Sequence, residues 1–302
     1  MRAATKIFRM PRSKIFSLIL LTSIAMIAFA GNSLLCRAAL KHTSIDAASF
    51  TSIRIIAGAL TLWLMIWLRM FRSGSGSVLT HGSWRSAFAL LAYAACFSFA
   101  YISLSAATGA LLLFGAVQFT MISYGFWHGE RFSVRQWTGL LCAFIGLAGL
   151  LMPGLTSPSL RGSVLMLTAG AAWGVYSLRG RKAGDATAIN AGNFLRAVPI
   201  TVALSVMMYV AAPQSNSIDA SGASYAMASG ALASGMGYAI WYTALCDLKA
   251  TTAATVQLSV PVLAAVGGIV FLGEAVTLRL LIASAAILGG VALVIFDKGA
   301  IK

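Results

Sequence analysis

Ten apolar runs, most of them near twenty residues long, leave this chain few ways to fold: Ile15–Cys36, Phe50–Leu68, Ser86–Leu104, Thr108–Trp127, Trp137–Met152, Gly162–Leu178, Asn193–Ala212, Tyr225–Leu245, Thr255–Leu272 and Leu280–Phe296. About 20 apolar residues in a helix cross about 30 Å of hydrocarbon. Within lipid, only helices and closed barrels satisfy all their own backbone groups. These runs are continuous, whereas a barrel strand alternates apolar and polar residues. The pattern therefore predicts an all-α integral membrane protein with ten transmembrane helices. Composition agrees, since only 10% of residues are charged and 59% are hydrophobic. A soluble domain carries about 25% charged residues.

The first run follows Arg2, Lys6, Arg9, Arg12 and Lys14, and Ala28-Phe29-Ala30 resembles a signal-peptidase site. Its apolar character continues through Leu34 and Leu35, so an uncleaved span is expected. The chain has 22 Lys and Arg against 7 Asp and Glu. The basic residues stand singly between apolar runs, which points to membrane topology and gives no reason to expect nucleic acid as a partner. With the amino terminus inside, 16 of them fall on the cytoplasmic side. Four (Arg37, Lys41, Arg161, Arg279) fall outside, and Arg54 and Arg196 lie in the first turns of their spans. The positive-inside rule then puts both termini in the cytoplasm and the protein in the inner membrane of the cell. Cys36, Cys96, Cys142 and Cys246 sit in or beside apolar runs without ligand spacing, so packing is expected of them, with no disulfide and no metal or other cofactor.

The two halves repeat each other. Gly129-Glu130 recurs as Gly273-Glu274, with Ser133 matching Thr277, Arg135 matching Arg279 and Gly146 matching Gly290. Earlier in the halves, Gly31 matches Gly174, Arg54 matches Arg196, and Tyr101 and Leu104 match Tyr242 and Leu245. Residues 15–156 and 157–297 are thus expected to form two five-helix repeats between a basic segment 1–14 and a tail 298–302. Five is odd, so the second copy would enter the membrane upside down, as inverted repeats of transporters do. The expected fold is a 5+5 inverted-topology repeat around a central cavity.

At this point the chain resembles the drug/metabolite transporter superfamily, and within it the bacterial ten-span EamA-type proteins. The resemblance rests on Gly129-Glu130 and its echo Phe271-Leu272-Gly273-Glu274, and on Ser259-Val260-Pro261-Val262, Trp173-Gly174 and Ile287-Leu288-Gly289-Gly290-Val291. Ala30-Gly31 departs from the Trp-Gly often seen in the first repeat. The resemblance implies a 5+5 bundle with a central cavity, used mostly to export amino acids and related metabolites.

Among individual residues, Glu130 and Glu274 are read as latches on free N–H groups where the next helix begins, in preference to proton carriers. Ser133 and Gln136 fit a capping box. Arg54 and Arg196 are read as snorkelling to their interfaces, which would leave nothing ionisable at mid-depth. The candidate solute pocket is then neutral: Gln118, Ser98, Tyr101, Trp173, Tyr176, Tyr238, Gln257 and Ser259. Trp241 and Tyr242 are read as packing or belt residues. Pro261 is placed near the middle of the ninth span, where it would free the carbonyl of Gln257. Gly170 and Gly174, Gly230 and Ser234, and Ala285 and Gly289 are spaced for close helix packing.

Such a pocket suits a neutral or zwitterionic small-molecule solute, and the leading expectation is a secondary transporter exporting amino acids or similar metabolites. Multidrug efflux is the second reading. An integral membrane enzyme would need a cluster of His, Asp or Cys, which three scattered histidines do not supply. The sequence gives no oligomeric state.

Overall fold

The structure is a computed structural model that describes residues 12–73, 81–127, 133–152, 154, 157–180, 185–211, 217–245, 247–248 and 256–295. Among the described residues there are ten helical rods and no strand. They are α1 (Arg12–His42), α2 (Ala47–Ser73), α3 (Trp84–Tyr101), α4 (Ala106–Trp127), α5 (Val134–Leu151), α6 (Leu160–Gly180) and α7 (Ala186–Ala211). Next come α8 (Ala220–Leu245), α9 (Ser259–Leu272) and α10 (Leu278–Ile295). The middle of α8, Ser229–Met236, is wound as a π-helix.

A short polar residue marks most helix starts, because its side-chain oxygen can accept from the first free N–H groups. Asp46 does so for α2, Ser83 for α3, Ser105 for α4 and Ser159 for α6. Asp185, Asp219 and Thr277 do it for α7, α8 and α10. Ser133 and Gln136 form the expected reciprocal capping box on α5. Three of the seven acids are thus absorbed in capping.

Five helices, α1, α2, α4, α5 and α7, are long and apolar enough to cross a membrane, and α9 and α10 are shorter apolar helices. Phe119, Trp137, Phe144, Val270 and Phe271 are exposed on the outside of the bundle. Water would penalise such a surface, whereas lipid does not. The molecule is a multi-pass membrane protein.

The two halves of the chain interleave. The most extensive helix contacts are α5 with α10, α1 with α8, α2 with α8 and α7, and α6 with α3 and α4. Further contacts join α9 with α1 and α4 and α3 with α7. Exchanging each helix for the one five places along leaves this pairing unchanged: α3–α6 becomes α8–α1, and α4–α6 becomes α9–α1. Small residues set the closest approaches. A Cβ at Gly170 would overlap the Leu113 carbonyl of α4. On α10 the contact falls one residue beyond the expected Gly289, which faces open space, while Gly290 lies on the Gly139 carbonyl of α5.

Candidate functional site

The centre of the bundle is a polar cluster wrapped in aromatic rings. Arg54, in the second turn of α2, is 1% exposed. Its Nε donates to the Ser234 hydroxyl at 3.0 Å, and its Nη2 donates to the phenols of Tyr93 at 3.0 Å and Tyr238 at 3.1 Å. The guanidinium also lies over the rings of Tyr93 and Phe97, 5.1 and 4.9 Å from their centres. Tyr93 is the tenth of the 18 residues of α3, so the charge is held at half the height of that helix. The Tyr93 oxygen also accepts from Asn32 Nδ2 at 3.0 Å and from the Tyr238 hydroxyl at 3.2 Å. Asn32 Oδ1 accepts from Ser229 at 2.6 Å. Helices of both halves therefore meet in one network: α1, α2 and α3 from the first, α8 from the second.

The π-helical segment of α8 shapes this meeting. It carries Ser229 and Ser234, and its Gly230 lies against the backbone carbonyl of Arg54, where a Cβ would overlap. π-Helical turns inside α-helices occur frequently at functional sites, because the extra residue re-aims the side chains around it.

Beside the cluster is a hollow of about 10 Å³ lined by Phe29, Asn32, Tyr93, Phe97, Trp173 and Tyr238, with Leu113 and Phe114 on its α4 wall. That volume is about what one water molecule needs. The Trp173 ring lies 4.7 Å from that of Tyr238 and 4.9 Å from that of Tyr93. Phe29 meets Trp173, Tyr238 and Trp241 edge-on at 5.7 to 5.9 Å. A larger cavity of about 510 Å³ lies between α4, α5, α6 and α10, but its lining is apolar apart from Thr120. Several of its walls, including Phe119, Trp137 and Phe144, are exposed on the lipid-facing side.

A second junction between the halves lies where α9 ends. Gly273 takes the left-handed conformation (φ 60°) that terminates the helix, and the Glu274 N–H returns to the Gly268 carbonyl at 3.0 Å. The Glu274 carboxylate then accepts from Arg37 Nε of α1 at 3.0 Å and from the Ala106 N–H at 2.8 Å. Ala106 is the first residue of α4, where the helix dipole favours a negative charge. Gly268 leaves room for this carboxylate, since a Cβ there would come within 2.9 Å of Oε2. Arg37 also donates to the Tyr101 carbonyl at 2.8 Å, and Lys41 to the Leu272 carbonyl at 3.1 Å.

Comparison with known proteins agrees with this arrangement. The model of the EamA-like transporter family matches the chain twice, over residues 16–152 and 160–296. The chain belongs to the EamA-like transporter family. An uncharacterised protein of Pseudomonas aeruginosa is 52% identical over 280 residues, covering 93% of this chain and 95% of that one. An uncharacterised transporter of Archaeoglobus fulgidus is 25% identical over 264 residues, covering 84% and 89% respectively. A crystal structure of a protein 19% identical superposes with a TM-score of 0.64, covering 92% of this chain and 97% of that one, which shows a shared fold. Members of the family are transporters and not enzymes, so the chain is a membrane solute transporter.

Within this EamA-like bundle the expected site residues separate. Trp173 and Tyr238 line the hollow. Tyr176 is buried one turn from Trp173, but its hydroxyl is given to Asn190 on α7 at 2.5 Å. Tyr101 is buried at the turn into α4, where its hydroxyl donates to the Ala106 carbonyl at 3.4 Å. Ser98 returns its hydroxyl to the Ala94 carbonyl of its own helix. Gln118 and Gln257 are buried outside the lining of the hollow. Ser259 is exposed and bonds to the Val256 carbonyl. Glu130 lies outside the described residues.

Two expectations are corrected. Arg54 does not snorkel: it turns inward, because two phenols and two ring faces inside the bundle replace the solvation that the interface would supply. An ionisable group therefore does lie inside the bundle, level with the middle of α3. Pro261 lies two residues into α9, whose start at Ser259 follows a break at Leu258 after helical Val256 and Gln257, so the helical chain is interrupted about one turn before the proline. The Glu274 latch holds, but on α1 and α4 instead of the helix that follows it. Arg196 stays near its end of the bundle, donating to the carbonyls of His81 at 2.7 Å and Gly192 at 2.9 Å. Asn32 and Tyr93 escaped notice because each is a single polar residue within an apolar run, and Ser234 was expected only to let helices pack closely. A lone amide in a membrane span, such as Asn32, is the signal that could have found the cluster.

Proposed function

We propose that this protein is a secondary transporter working by alternating access, and that it exports amino acids or similar small metabolites across the cytoplasmic membrane. In this reading 15–156 and 157–297 are inverted five-helix repeats, all ten helices span the membrane and both termini are cytoplasmic. The observation that carries it is the closed aromatic hollow formed by helices of both halves. It is too small for an amino acid, so a solute enters only when the halves part. The exchange symmetry of the helix contacts supports two equivalent ways of parting, one toward each side of the membrane. The Glu274 junction would be one of the contacts broken in each cycle.

Multidrug efflux fits less well, because the buried guanidinium of Arg54 repels the lipophilic cations that such pumps commonly accept. Among the described residues no carboxylate borders the hollow, so transport is expected to run down the solute gradient with little dependence on pH. The test is reconstitution into liposomes with a panel of radiolabelled amino acids, with and without an imposed pH gradient. Saturable counterflow of at least one amino acid is expected. Absence of movement for the whole panel would refute the reading, and strong uphill accumulation driven by pH would refute its uncoupled form.

A further inference from the structure

The least explained group in the molecule is the guanidinium of Arg54. Burying a charge in a medium of low dielectric costs several kcal/mol unless it is paired. The ion pairs among the described residues are Arg37–Glu274 and Arg69–Asp185, and Arg54 takes part in neither. It meets neutral oxygens and ring faces instead. Nη1, with two of its five N–H donors, is buried without an acceptor among the described residues. The phenol oxygen of Tyr93 is already met by Arg54, Asn32 and Tyr238. The cluster is rich in donors and carries a positive charge that no described acid pairs with.

We propose that Arg54 is the anchor for the carboxylate of the transported solute, and that the solute is a small monocarboxylate whose remaining part is apolar or aromatic. The proposal rests on the transporter reading above and deepens it. A carboxylate is the strongest acceptor a guanidinium N–H meets among small organic groups, and Nη1 is the arm left to donate to it. One cation neutralises a monoanion, whereas a phosphate dianion would need a second, and among the described residues no Lys or Arg lines the hollow itself. The rings of Tyr93 and Phe97 that carry Arg54 are themselves walls of the hollow, so the charge lies directly behind its lining. Opposite them, Phe29, Trp173, Leu113 and Phe114 offer a surface for hydrocarbon or an aromatic ring. Tyr93, Asn32 and Ser234 act through Arg54 as positioning residues that fix the plane of the guanidinium.

The experiment uses four probes with one phenyl body: L-phenylalanine, 3-phenylpropionate, L-phenylalaninamide and phenethylamine. Binding is read as ligand-induced thermal stabilisation of the purified full chain, and transport as counterflow in liposomes. The two carboxylates are expected to bind at least tenfold more tightly than the amide and the amine. Arg54→Gln is expected to abolish that preference, while Arg54→Lys keeps part of it. Equal binding of all four, binding of none, or an unchanged preference in Arg54→Gln overturns the proposal. Should Arg54→Gln fail to fold, the four probes on the unaltered protein decide alone. Carboxylates that bind but never cross the membrane would sink the transporter reading and leave the anchor standing. Counterflow without carboxylate preference would do the reverse.

Discussion

Arg54 and Arg196 occupy matching places in the two repeats of the sequence, yet the fold treats them in opposite ways. Arg54 is sealed in the bundle on phenols and ring faces. Arg196 reaches back to loop and helix-end carbonyls at His81 and Gly192. Their surroundings make the difference. Opposite Arg54 stand Tyr93 on α3 and the π-helical turn of α8, whose Gly230 lets the two backbones come close enough for Ser234 to reach Nε. A duplicated scaffold can therefore bury a charge in one copy and not in the other, and a bundle with symmetric helix pairing acquires a chemically asymmetric interior.

The contrast is sharpest in a pair of methionine substitutions. Arg54→Met is expected to cut counterflow of a carboxylate solute at least tenfold while leaving the midpoint of thermal unfolding unchanged or raised. Replacing a buried charge by a well-packed apolar side chain is often neutral or stabilising, and binding groups are commonly held at the expense of stability. A large fall in the midpoint would instead make Arg54 a structural residue. Arg196→Met is expected to leave counterflow within about twofold and to cost about 1 kcal/mol, the usual net worth of a hydrogen bond partly open to solvent. Equal losses of transport in the two variants would erase the distinction.

The Glu274 junction should show the next largest effect. Its carboxylate and the Arg37 side chain are 8% and 15% exposed, and removing one partner of a nearly buried pair costs about 3 kcal/mol. Glu274→Ala should lower unfolding stability by about that amount and should also speed exchange between the two openings of the hollow. Faster exchange is readable as a raised counterflow rate at saturating solute, which a purely stabilising role would not produce. Tyr93→Phe is milder. It removes the oxygen on which three donors converge, so carboxylate affinity should fall about threefold to tenfold, about 1 kcal/mol. Amide and amine probes should be unaffected, as titration of each probe would show.

Much of this molecule could be read from its residues. Continuous apolar runs gave the ten helices, and Ser133 with Gln136, and Thr277, gave two of the caps. Gly273-Glu274 announced a junction, because a left-handed glycine followed by a carboxylate turns the chain and offers an acceptor in one step. The partners of Glu274 were hidden, since Arg37 and Ala106 come from the other half and no local rule brings them near. Arg54 misled for a related reason: counting turns gives its height on α2 but not the phenols that wait beside it. The outward orientation of Ser259 was hidden, since a nearly continuous apolar run does not tell which side of α9 meets the bundle. The π-helical turn of α8 has no periodic signature at all, though it aims the serines of the site.

Accessibility of the hollow from the two sides of the membrane puts the whole scheme at risk in one assay. With Cys36, Cys96, Cys142 and Cys246 replaced by alanine, a single Leu113→Cys substitution places a thiol on the wall of the hollow. A membrane-impermeant thiol reagent is then applied to right-side-out and inside-out vesicles. A carrier whose halves part in alternation predicts labelling from both faces, each slowed by a saturating carboxylate solute. Labelling from one face only, or from neither, would contradict alternating access to this site.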